Sequence, residues 1–368
     1  MKIISSALGA ALIAALAGIV YALRLASASS YERKFDIFPV TLTEKSITLP
    51  STKRTLSQGT FGLHLKGGGD PAIVGAVIRT EGGTVCRELL RSPTRFEANS
   101  AGNWSGVLDA TPGKHLGPSE QVIVPTAYGP APAWLVNQGT KNWAIHVHGH
   151  GSTRAQTLRG VNVASQLGLS SLVISYRNDA EGPAVGTGRH RFGETEWEDL
   201  EAALAFAKDL GAERCVIFGW SMGAALTLRL IHKSRMKELI IGVVLVAPVL
   251  SWREVLKANA SHRGYPSALG RMVYSLLHTR LGSRVAGLGS PLDIRTFETE
   301  LARTPMITPT LILHSRSDPY VPYASSLRFA ETHVAAKLVT FDCPGHTQEW
   351  NAEPIRWEAE VRDWYKKL

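Results

Sequence analysis

One pentapeptide, Gly219-Trp220-Ser221-Met222-Gly223, limits what this chain can fold into more than any other stretch. The residues before it, 215–218, are apolar and suited to a buried strand, whereas residues 224–231 favour a helix. The pentapeptide therefore has to turn the chain from a strand into a helix within very few residues. Glycines two positions before and after the serine permit that reversal, because a Cβ there would collide with neighbouring atoms. We expect the Ser221 hydroxyl to stand clear of the turn at the helix N-terminus.

Two further residues suited to chemistry with this serine follow late strands of the predicted sheet. Asp318 comes just after the predicted strand 310–314, and His346 comes just after the predicted strand 337–341. Because ligands bind at the carboxyl ends of parallel strands, the serine, the acid and the histidine are expected to meet there. A serine becomes a strong nucleophile when a histidine accepts its proton and a carboxylate orients that histidine. We therefore predict that Ser221, Asp318 and His346 form a catalytic triad.

The run His148-Gly149-His150-Gly151 follows another predicted strand and adds hydrogen-bond donors to the site. Its glycines allow backbone N–H groups to turn inward, so those of His150 and Met222 are predicted to bind an oxyanion. A metal site formed by His146, His148 and His150 is the alternative. The glycines break the strand that would hold the three rings on one face, so we predict no metal and no cofactor.

Other residues next to these motifs are candidates for the walls of a substrate pocket. Arg177 and Asn178 follow the predicted strand 171–176, and an ordinary turn explains them equally well. The full set of candidate pocket residues is His148, Gly149, Gly151, Trp220, Arg177 and Asn178.

The order of strands and helices divides the chain into regions. From residue 119 to 368 strands alternate with helices, which indicates an α/β domain on a mostly parallel central sheet with helices on both faces. Residues 31–118 are rich in Gly, Thr and Ser and contain short alternating stretches, so we expect a small β-rich accessory region.

Residues 251–304 interrupt the alternation and are predicted to form a helical lid. The lid carries an excess of basic residues, and one stretch of it has apolar residues at helical spacing. That stripe either packs on the sheet or lies on an anionic membrane surface, and the pattern is the same in both cases. The residues of the stripe are Leu269, Met272, Val273, Leu276 and Leu277.

The N-terminus carries an uncharged, mostly apolar stretch over residues 3–23, long enough to cross a bilayer as a helix. We predict that residues 1–30 form a single-pass membrane anchor that places the catalytic domain outside the cytoplasm. The alternative is a secreted protein, because Ala26-Ser27-Ala28 is similar to a signal-peptide cleavage site.

The composition fits a folded protein. Of 368 residues, 44% are hydrophobic and 19% are charged, which excludes wholesale disorder. The formal charge of +9 comes from scattered Lys and Arg residues without a nucleic-acid-binding motif, so no nucleic-acid partner is predicted. The three cysteines lack C-x-x-C spacing and indicate neither a disulfide framework nor a zinc site.

The region from Gln121 to the C-terminus resembles the α/β-hydrolase superfamily, and the resemblance does not extend to the first 118 residues. The matching pieces are the His148–Gly151 run, the Gly219–Gly223 pentapeptide, the turn Asp318-Pro319-Tyr320-Val321-Pro322 and the Gly345-His346 loop. The resemblance implies that Ser221 is the nucleophile, Asp318 the orienting acid and His346 the general base. It also implies that His150 and Met222 are the oxyanion donors.

The same resemblance implies a serine hydrolase that cleaves carboxylic esters or thioesters through an acyl-enzyme. Its substrate would be a small-molecule acyl ester or a lipid. A serine peptidase, an acyltransferase of the same fold and a binding module without activity are the alternatives, and the complete set of three residues argues against the last.

Overall fold

Two β-sheets follow each other along the chain. The computed structural model describes residues 16–29, 34–96 and 100–368. Within these ranges the first sheet, here called the N-terminal sheet, has six strands in the order β1-β2-β5-β4-β3-β6, and all its neighbours are antiparallel. Its strands are β1 (Thr41–Leu42), β2 (Ser46–Pro50), β3 (Phe61–Leu65), β4 (Ala72–Glu81), β5 (Thr84–Arg91) and β6 (Gly102–Ser105).

The N-terminal sheet has its own apolar core. Inward-facing residues alternate with more exposed ones along β2, as expected for a sheet with one covered face. The core residues include Leu49, Phe61, Leu63 and Trp104. These strands lie within residues 31–118, for which the sequence predicts a small β-rich accessory region, and the accessory role stays a prediction.

The second sheet has eight strands in the order β14-β13-β12-β11-β9-β10-β8-β7. Strands β7 and β8 form an antiparallel hairpin, and β8 also pairs antiparallel with β10. Every other neighbouring pair among the described residues is parallel. The strands are β7 (Ser119–Thr126), β8 (Gly129–Val136), β9 (Asn142–Val147), β10 (Ser170–Ile174), β11 (Arg214–Trp220), β12 (Ile240–Val246), β13 (Thr310–Ser315) and β14 (Ala336–Phe341).

Helices pack on both faces of the second sheet, which explains the almost uninterrupted apolar strands in the sequence. In β11, Ile217 belongs to one core cluster, whereas its neighbours Val216 and Phe218 belong to the cluster on the opposite face. The helices outside the insertion are α1 (16–26), α2 (Leu158–Gln166), α3 (Trp197–Asp209), α4 (Met222–Lys233), α9 (Tyr323–Thr332), α10 (Glu349–Ala352) and α11 (Pro354–Tyr365).

Four helices lie between β12 and β13, in the segment predicted as a lid. Residues Val273 and Leu277 of the apolar stripe are buried, Leu269 and Leu276 pack against the main core, and Met272 is 38% exposed. The stripe therefore faces the protein, as in the first of the two sequence-based alternatives. The helices are α5 (Trp252–His262), α6 (Ser267–Leu277), α7 (Arg280–Ala286) and α8 (Ile294–Arg303).

The predicted single-pass membrane anchor is wrong for the part of the chain that the structure describes. In that part no helix is both long enough and apolar enough to cross a membrane. The helix found here, α1, covers residues 16–26, and the first 15 residues of the predicted anchor lie outside the described ranges. Leu23 is 2% exposed and belongs to the main core cluster, and the Ser27 hydroxyl donates to the carbonyl of Ala286 at 2.8 Å. Protein atoms thus surround the end of this apolar stretch.

Candidate active site

Ser221 lies on a sharp turn between a strand and a helix, and its backbone is strained. Strand β11 ends at Trp220, helix α4 begins at Met222, and Ser221 between them has a φ of 53°. A Cβ added to Gly219 would lie 2.8 Å from the carbonyl oxygen of Gly223 and from the Thr227 hydroxyl. A side chain at that position would therefore push the helix away from the strand, so the sharp turn depends on glycine.

Ser221, His346 and Asp318 lie together, although long stretches of chain separate them. Nε2 of His346 is 2.8 Å from the Ser221 hydroxyl oxygen, and Nδ1 of His346 is 2.6 Å from Oδ2 of Asp318. The other carboxylate oxygen accepts the backbone N–H groups of Tyr320 and Val321 at 2.8 and 2.9 Å. These bonds fix the carboxylate plane and leave one oxygen for the imidazole.

The charges of this pair shift both of its pKa values. Burial alone would raise the pKa of Asp318, but the charge of His346 and hydrogen bonds from His314 and His346 outweigh it and hold that pKa well below its ordinary value. Burial alone would lower the pKa of His346, but the charge and hydrogen bond of Asp318 outweigh it, so the pKa is raised. The carboxylate therefore stays ionised and the imidazole is a stronger base than an ordinary histidine.

A second histidine, His314, approaches the same carboxylate and was not identified from the sequence. Its Nε2 is 3.3 Å from Oδ2 of Asp318, its Nδ1 is 2.8 Å from the Ser326 hydroxyl, and the residue is fully buried. In the sequence it looks like the polar end of a buried strand. The spacing His314-x-x-x-Asp318 across the strand end was the only signal that could have indicated this contact.

Gly149 brings the predicted oxyanion loop against the nucleophile. A Cβ added to Gly149 would lie 3.0 Å from Cβ of Ser221, so a larger residue would crowd the serine. The Gly149 N–H donates to Oε1 of Gln156 at 2.8 Å, which anchors the loop. His150 and Met222 directly follow Gly149 and Ser221, and their role as donors stays a prediction.

The side chain of His148 anchors the start of this loop. Its Nε2 is 2.8 Å from Oδ2 of Asp179, and its ring stacks on Tyr176 with the centroids 4.3 Å apart. The Tyr176 hydroxyl lies within hydrogen-bonding distance of the carbonyl oxygens of His148 and Gly149, at 3.2 and 3.3 Å. Burial alone would raise the pKa of Asp179, but the hydrogen bond and charge of His148, together with the backbone N–H groups of Glu181 and Gly182, outweigh burial and lower the pKa.

The three histidines considered as metal ligands occupy separate environments. His146 stacks on Phe218 in the sheet, and burial lowers its pKa to about 3. His148 is bonded to Asp179, whereas the ring of His150 packs near Phe192. In the described parts of the chain no group of three or more His, Cys, Asp or Glu side chains is arranged to hold a metal ion.

Three of the candidate pocket residues have other partners in the structure. Arg177 is buried and forms two hydrogen bonds of 2.8 Å with the carboxylate of Asp199. Asn178 donates to the carbonyl of Arg189 at 2.9 Å. Trp220 is fully buried, and its ring stacks on that of Trp357 with the centroids 6.0 Å apart. Gly151 lies in the turn after His150 with a φ of 64°.

A small pocket lies beside the nucleophile helix instead. The N–H of Val249, one of its lining residues, donates to the Ser221 carbonyl at 3.1 Å, so the pocket is adjacent to the serine backbone. Most of its wall is apolar, and helices α4, α5 and α8 contribute to it. The lining includes Phe192, Ala225, Arg229, Val249, Trp252 and Phe297.

The fold and this arrangement of side chains define an α/β hydrolase. A family model described as "Alpha/beta hydrolase family" matches residues 122–363, more than half of the chain, and the protein belongs to that family. Residues 37–105 match a second model, described as a domain of unknown function, DUF8805.

Solved structures with a similar fold include the esterase Pf2001 from Pyrococcus furiosus. Its crystals in space group P212121 give a TM-score of 0.54 at 19% identity, covering 70% of this chain and 94% of the esterase. Its P21 crystals give a TM-score of 0.53 at 18% identity, covering 71% and 96%. At such low identity the likeness concerns the fold. The search of curated proteins found no similar sequence.

Proposed function

We propose that this protein is a serine hydrolase that cleaves carboxylic esters or thioesters of small acyl groups through an acyl-enzyme. The observation that carries the proposal is the unbroken hydrogen-bonded chain from Ser221 through His346 to Asp318, in a member of the α/β-hydrolase family. The esterase among the structural neighbours supports ester bonds as the first substrates to test.

The proposed reaction gives each of the three side chains a separate role. His346 Nε2 takes the proton of Ser221 as the hydroxyl oxygen attacks the acyl carbon, while Asp318 accepts the Nδ1–H and stabilises the charged imidazole. The N–H groups of His150 and Met222 are assigned to the oxyanion. His346 gives this proton to the leaving alcohol or thiol as its bond to the acyl carbon breaks. The imidazole then takes a proton from water as the water attacks the acyl-enzyme, and returns it to the Ser221 oxygen as the acid leaves.

The acyl group is assigned to the pocket lined by Ala225, Val249 and Trp252. Helices α5 to α8 act in this proposal as a lid, since Trp252 begins α5 and lines the pocket. The lining is mostly apolar and the enclosed space is small, so it suits a short acyl chain, whose burial contributes about 0.8 kcal/mol per methylene group.

A single substitution tests the proposed nucleophile. We expect Ser221→Ala to reduce turnover of p-nitrophenyl acetate and butyrate by a factor on the order of 10⁶ and to abolish labelling by a fluorophosphonate probe. The fold should persist, because the hydroxyl stands at a turn. Added chelator should leave wild-type turnover unchanged.

The matched control is Ser317→Ala, which removes an exposed hydroxyl one residue before Asp318. The Ser317→Ala variant should react with the fluorophosphonate probe and hydrolyse the p-nitrophenyl esters at the wild-type rates. Labelling of the Ser221→Ala variant at the wild-type rate would contradict the proposal. A panel of matched esters, thioesters and amides identifies the bond, and turnover of the amides alone would favour a peptidase.

A further inference from the structure

The N-terminal sheet reaches the catalytic half of the protein at a buried residue close to His346. Asn351 on α10 is fully buried. Its side-chain amide donates to the carbonyls of Thr60 and Gly106 at 2.8 and 3.0 Å, and its backbone carbonyl accepts the Thr60 N–H at 2.9 Å. Both partners flank strands of the N-terminal sheet, so this asparagine replaces water at their backbone groups.

The same asparagine accepts a hydrogen bond from Arg159 on α2. The Arg159 guanidinium donates from one nitrogen to Oδ1 of Asn351 and to the carbonyl of Thr347, the latter at 2.7 Å. The centre of the guanidinium also lies 4.5 Å from the ring centroid of Trp220. Arg159 thus contacts the residue after His346 and the residue before Ser221.

Thr347 needs such support because its backbone is strained. Its φ is 55°, a conformation that β-branched residues rarely adopt and that costs conformational energy. Its carbonyl is held by Arg159, and its hydroxyl is 3.3 Å from Nε2 of Gln156. Gln156 in turn anchors the N–H of Gly149, so the histidine loop and the oxyanion loop share one set of bonds.

Arg159 is an unusual residue for plain packing. It is 5% exposed, and within the described ranges no carboxylate lies within ion-pair distance of it. Burial lowers its pKa to about 10. Glu349 acts on this cation only from beyond ion-pair distance, so the Arg159 guanidinium depends mainly on oxygen acceptors for its stabilisation. These are the carbonyls of Gln156 and Thr347 and Oδ1 of Asn351. The position of Arg159 is therefore sensitive to Asn351, and through Asn351 to the N-terminal sheet.

We propose that the N-terminal sheet positions the catalytic histidine. Thr60 and Gly106 hold Asn351, Asn351 holds Arg159, and Arg159 fixes Thr347 and hence His346. Arg159 and Asn351 are positioning residues, which touch no substrate. The inference rests on the proposed function, which assigns His346 as the general base.

A glycine two residues before strand β3 of the N-terminal sheet provides the sharpest test. Gly59 has a φ of 110°, and an added Cβ would collide with the Asn351 carbonyl and lie 2.7 Å from Cα of Ala352. Gly67 has nearly the same φ, 111°, and no atom within 4 Å of an added Cβ. Both Gly→Ala changes strain the backbone alike, and only Gly59→Ala displaces Asn351.

We expect Gly59→Ala to lower kcat for p-nitrophenyl acetate on the order of ten- to a hundredfold, with KM unchanged, because a misplaced base slows chemistry without weakening binding. The rate of fluorophosphonate labelling should fall by the same factor. Gly67→Ala should stay near wild type in both assays, each run below the unfolding temperature of either variant. Equal kcat values for the two variants would overturn the proposal.

A spectroscopic measurement tests the positioning without any turnover. The proton between His346 Nδ1 and Asp318 gives a low-field proton NMR signal, because the bond is short and charged. That signal should shift or broaden in Gly59→Ala and remain in place in Gly67→Ala. If wild-type protein shows the signal but neither reacts with the fluorophosphonate probe nor hydrolyses the ester, the proposed function fails. A comparison of the signal in the two glycine variants still tests the positioning role.

A second pair of variants guards against a folding artefact at Gly59. Asn351→Ala removes the link itself, whereas Asn162→Ala removes a 2.7 Å bond to Glu358 from the same helix that carries Arg159. We expect Asn351→Ala to reproduce the loss of kcat and Asn162→Ala to leave it unchanged. Because Gly59→Ala and Asn351→Ala break one link, the double variant should lose no more than the worse single variant. Additive losses would show two independent effects and contradict the proposal.

Discussion

At Asp318 one carboxylate oxygen serves two histidines. This oxygen lies 2.6 Å from His346 Nδ1 and 3.3 Å from His314 Nε2. The side chains of both histidines and of Asp318 are largely buried. A protonated His346 cannot accept the Ser221 proton, so activity should be lost as the pH falls through the raised pKa of His346. The acidic limb of kcat/KM is therefore expected above about pH 6.5, the ordinary histidine value.

Asp318→Asn should change this limb in a definite direction. The substitution removes the charge that raises the pKa of His346 and leaves the burial that lowers it, so the limb should move to lower pH. We expect kcat to fall about 10³- to 10⁴-fold at the same time, because the imidazole loses its orientation. The pH profile of kcat/KM on a soluble ester measures both effects.

Asp342→Asn is the matched control, since this exposed carboxylate also follows the last strand and bonds to Ser317 at 2.6 Å, away from the imidazole. It should leave the limb in place. An unmoved limb in Asp318→Asn would mean that another group controls the ionisation.

The sequence identified the residues that follow strands and missed those that support them. Ser221, Asp318 and His346 each stand just after a strand, where parallel sheets bind ligands, and the structure brings them together. Arg159 and Asn351 sit in ordinary helical patterns. Only the tertiary contacts with Thr347 and the N-terminal sheet distinguish such residues from surface polar groups, and periodicity carries no information about those contacts.

At the scale of elements, helix α6 shows what an amphipathic pattern leaves undecided. Its apolar stripe has the same spacing whether the neighbour is a sheet or a membrane surface. Leu23 in α1 makes the same point, because hydropathy does not distinguish lipid from a protein core. The positions of the buried strands and the glycine-dependent turn were more predictable, since buried strands and close backbone contacts restrict residue type strongly.

The packing of α6 predicts unequal costs along one stripe. Leu277 is fully buried in the main core, so Leu277→Ala should lower the free energy of unfolding by about 2–5 kcal/mol. Met272 is 38% exposed, and Met272→Ala should change it by less than about 1 kcal/mol. Denaturant unfolding measures both. Equal small effects would indicate that α6 is not packed on the core and would reopen the membrane-facing alternative.

At the scale of the whole molecule, buried neutral histidines make stability depend on pH. Burial lowers the pKa of both His146 and His150 to about 3. Their unfolded value is about 6.5, so the unfolded chain binds more protons below that pH. Their contribution is complete above about pH 6.5 and is lost as the pH falls. His346, with a raised pKa, acts in the opposite sense, since its contribution is present below about pH 6.5 and is lost as pH rises through its folded pKa.

Between about pH 6.5 and 4.5 the contribution of His346 stays constant, whereas every histidine with a lowered pKa binds more protons in the unfolded chain. The protein should therefore lose stability as it is acidified through this range. These histidines are His146, His150, His232 and His278. His146→Gln removes one of these histidines without touching the proposed site, and its amide can still bond to the Ser171 hydroxyl, which lies 3.2 Å from the imidazole. We expect the variant to be less stable at neutral pH, with a dependence on pH flatter by at most about 1.4 kcal/mol per pH unit. His115→Gln, at an exposed position, should keep the wild-type slope. Unfolding curves at a series of pH values decide this, and parallel slopes for all three proteins would mean that His146 stays charged inside the sheet or that other groups control acid unfolding.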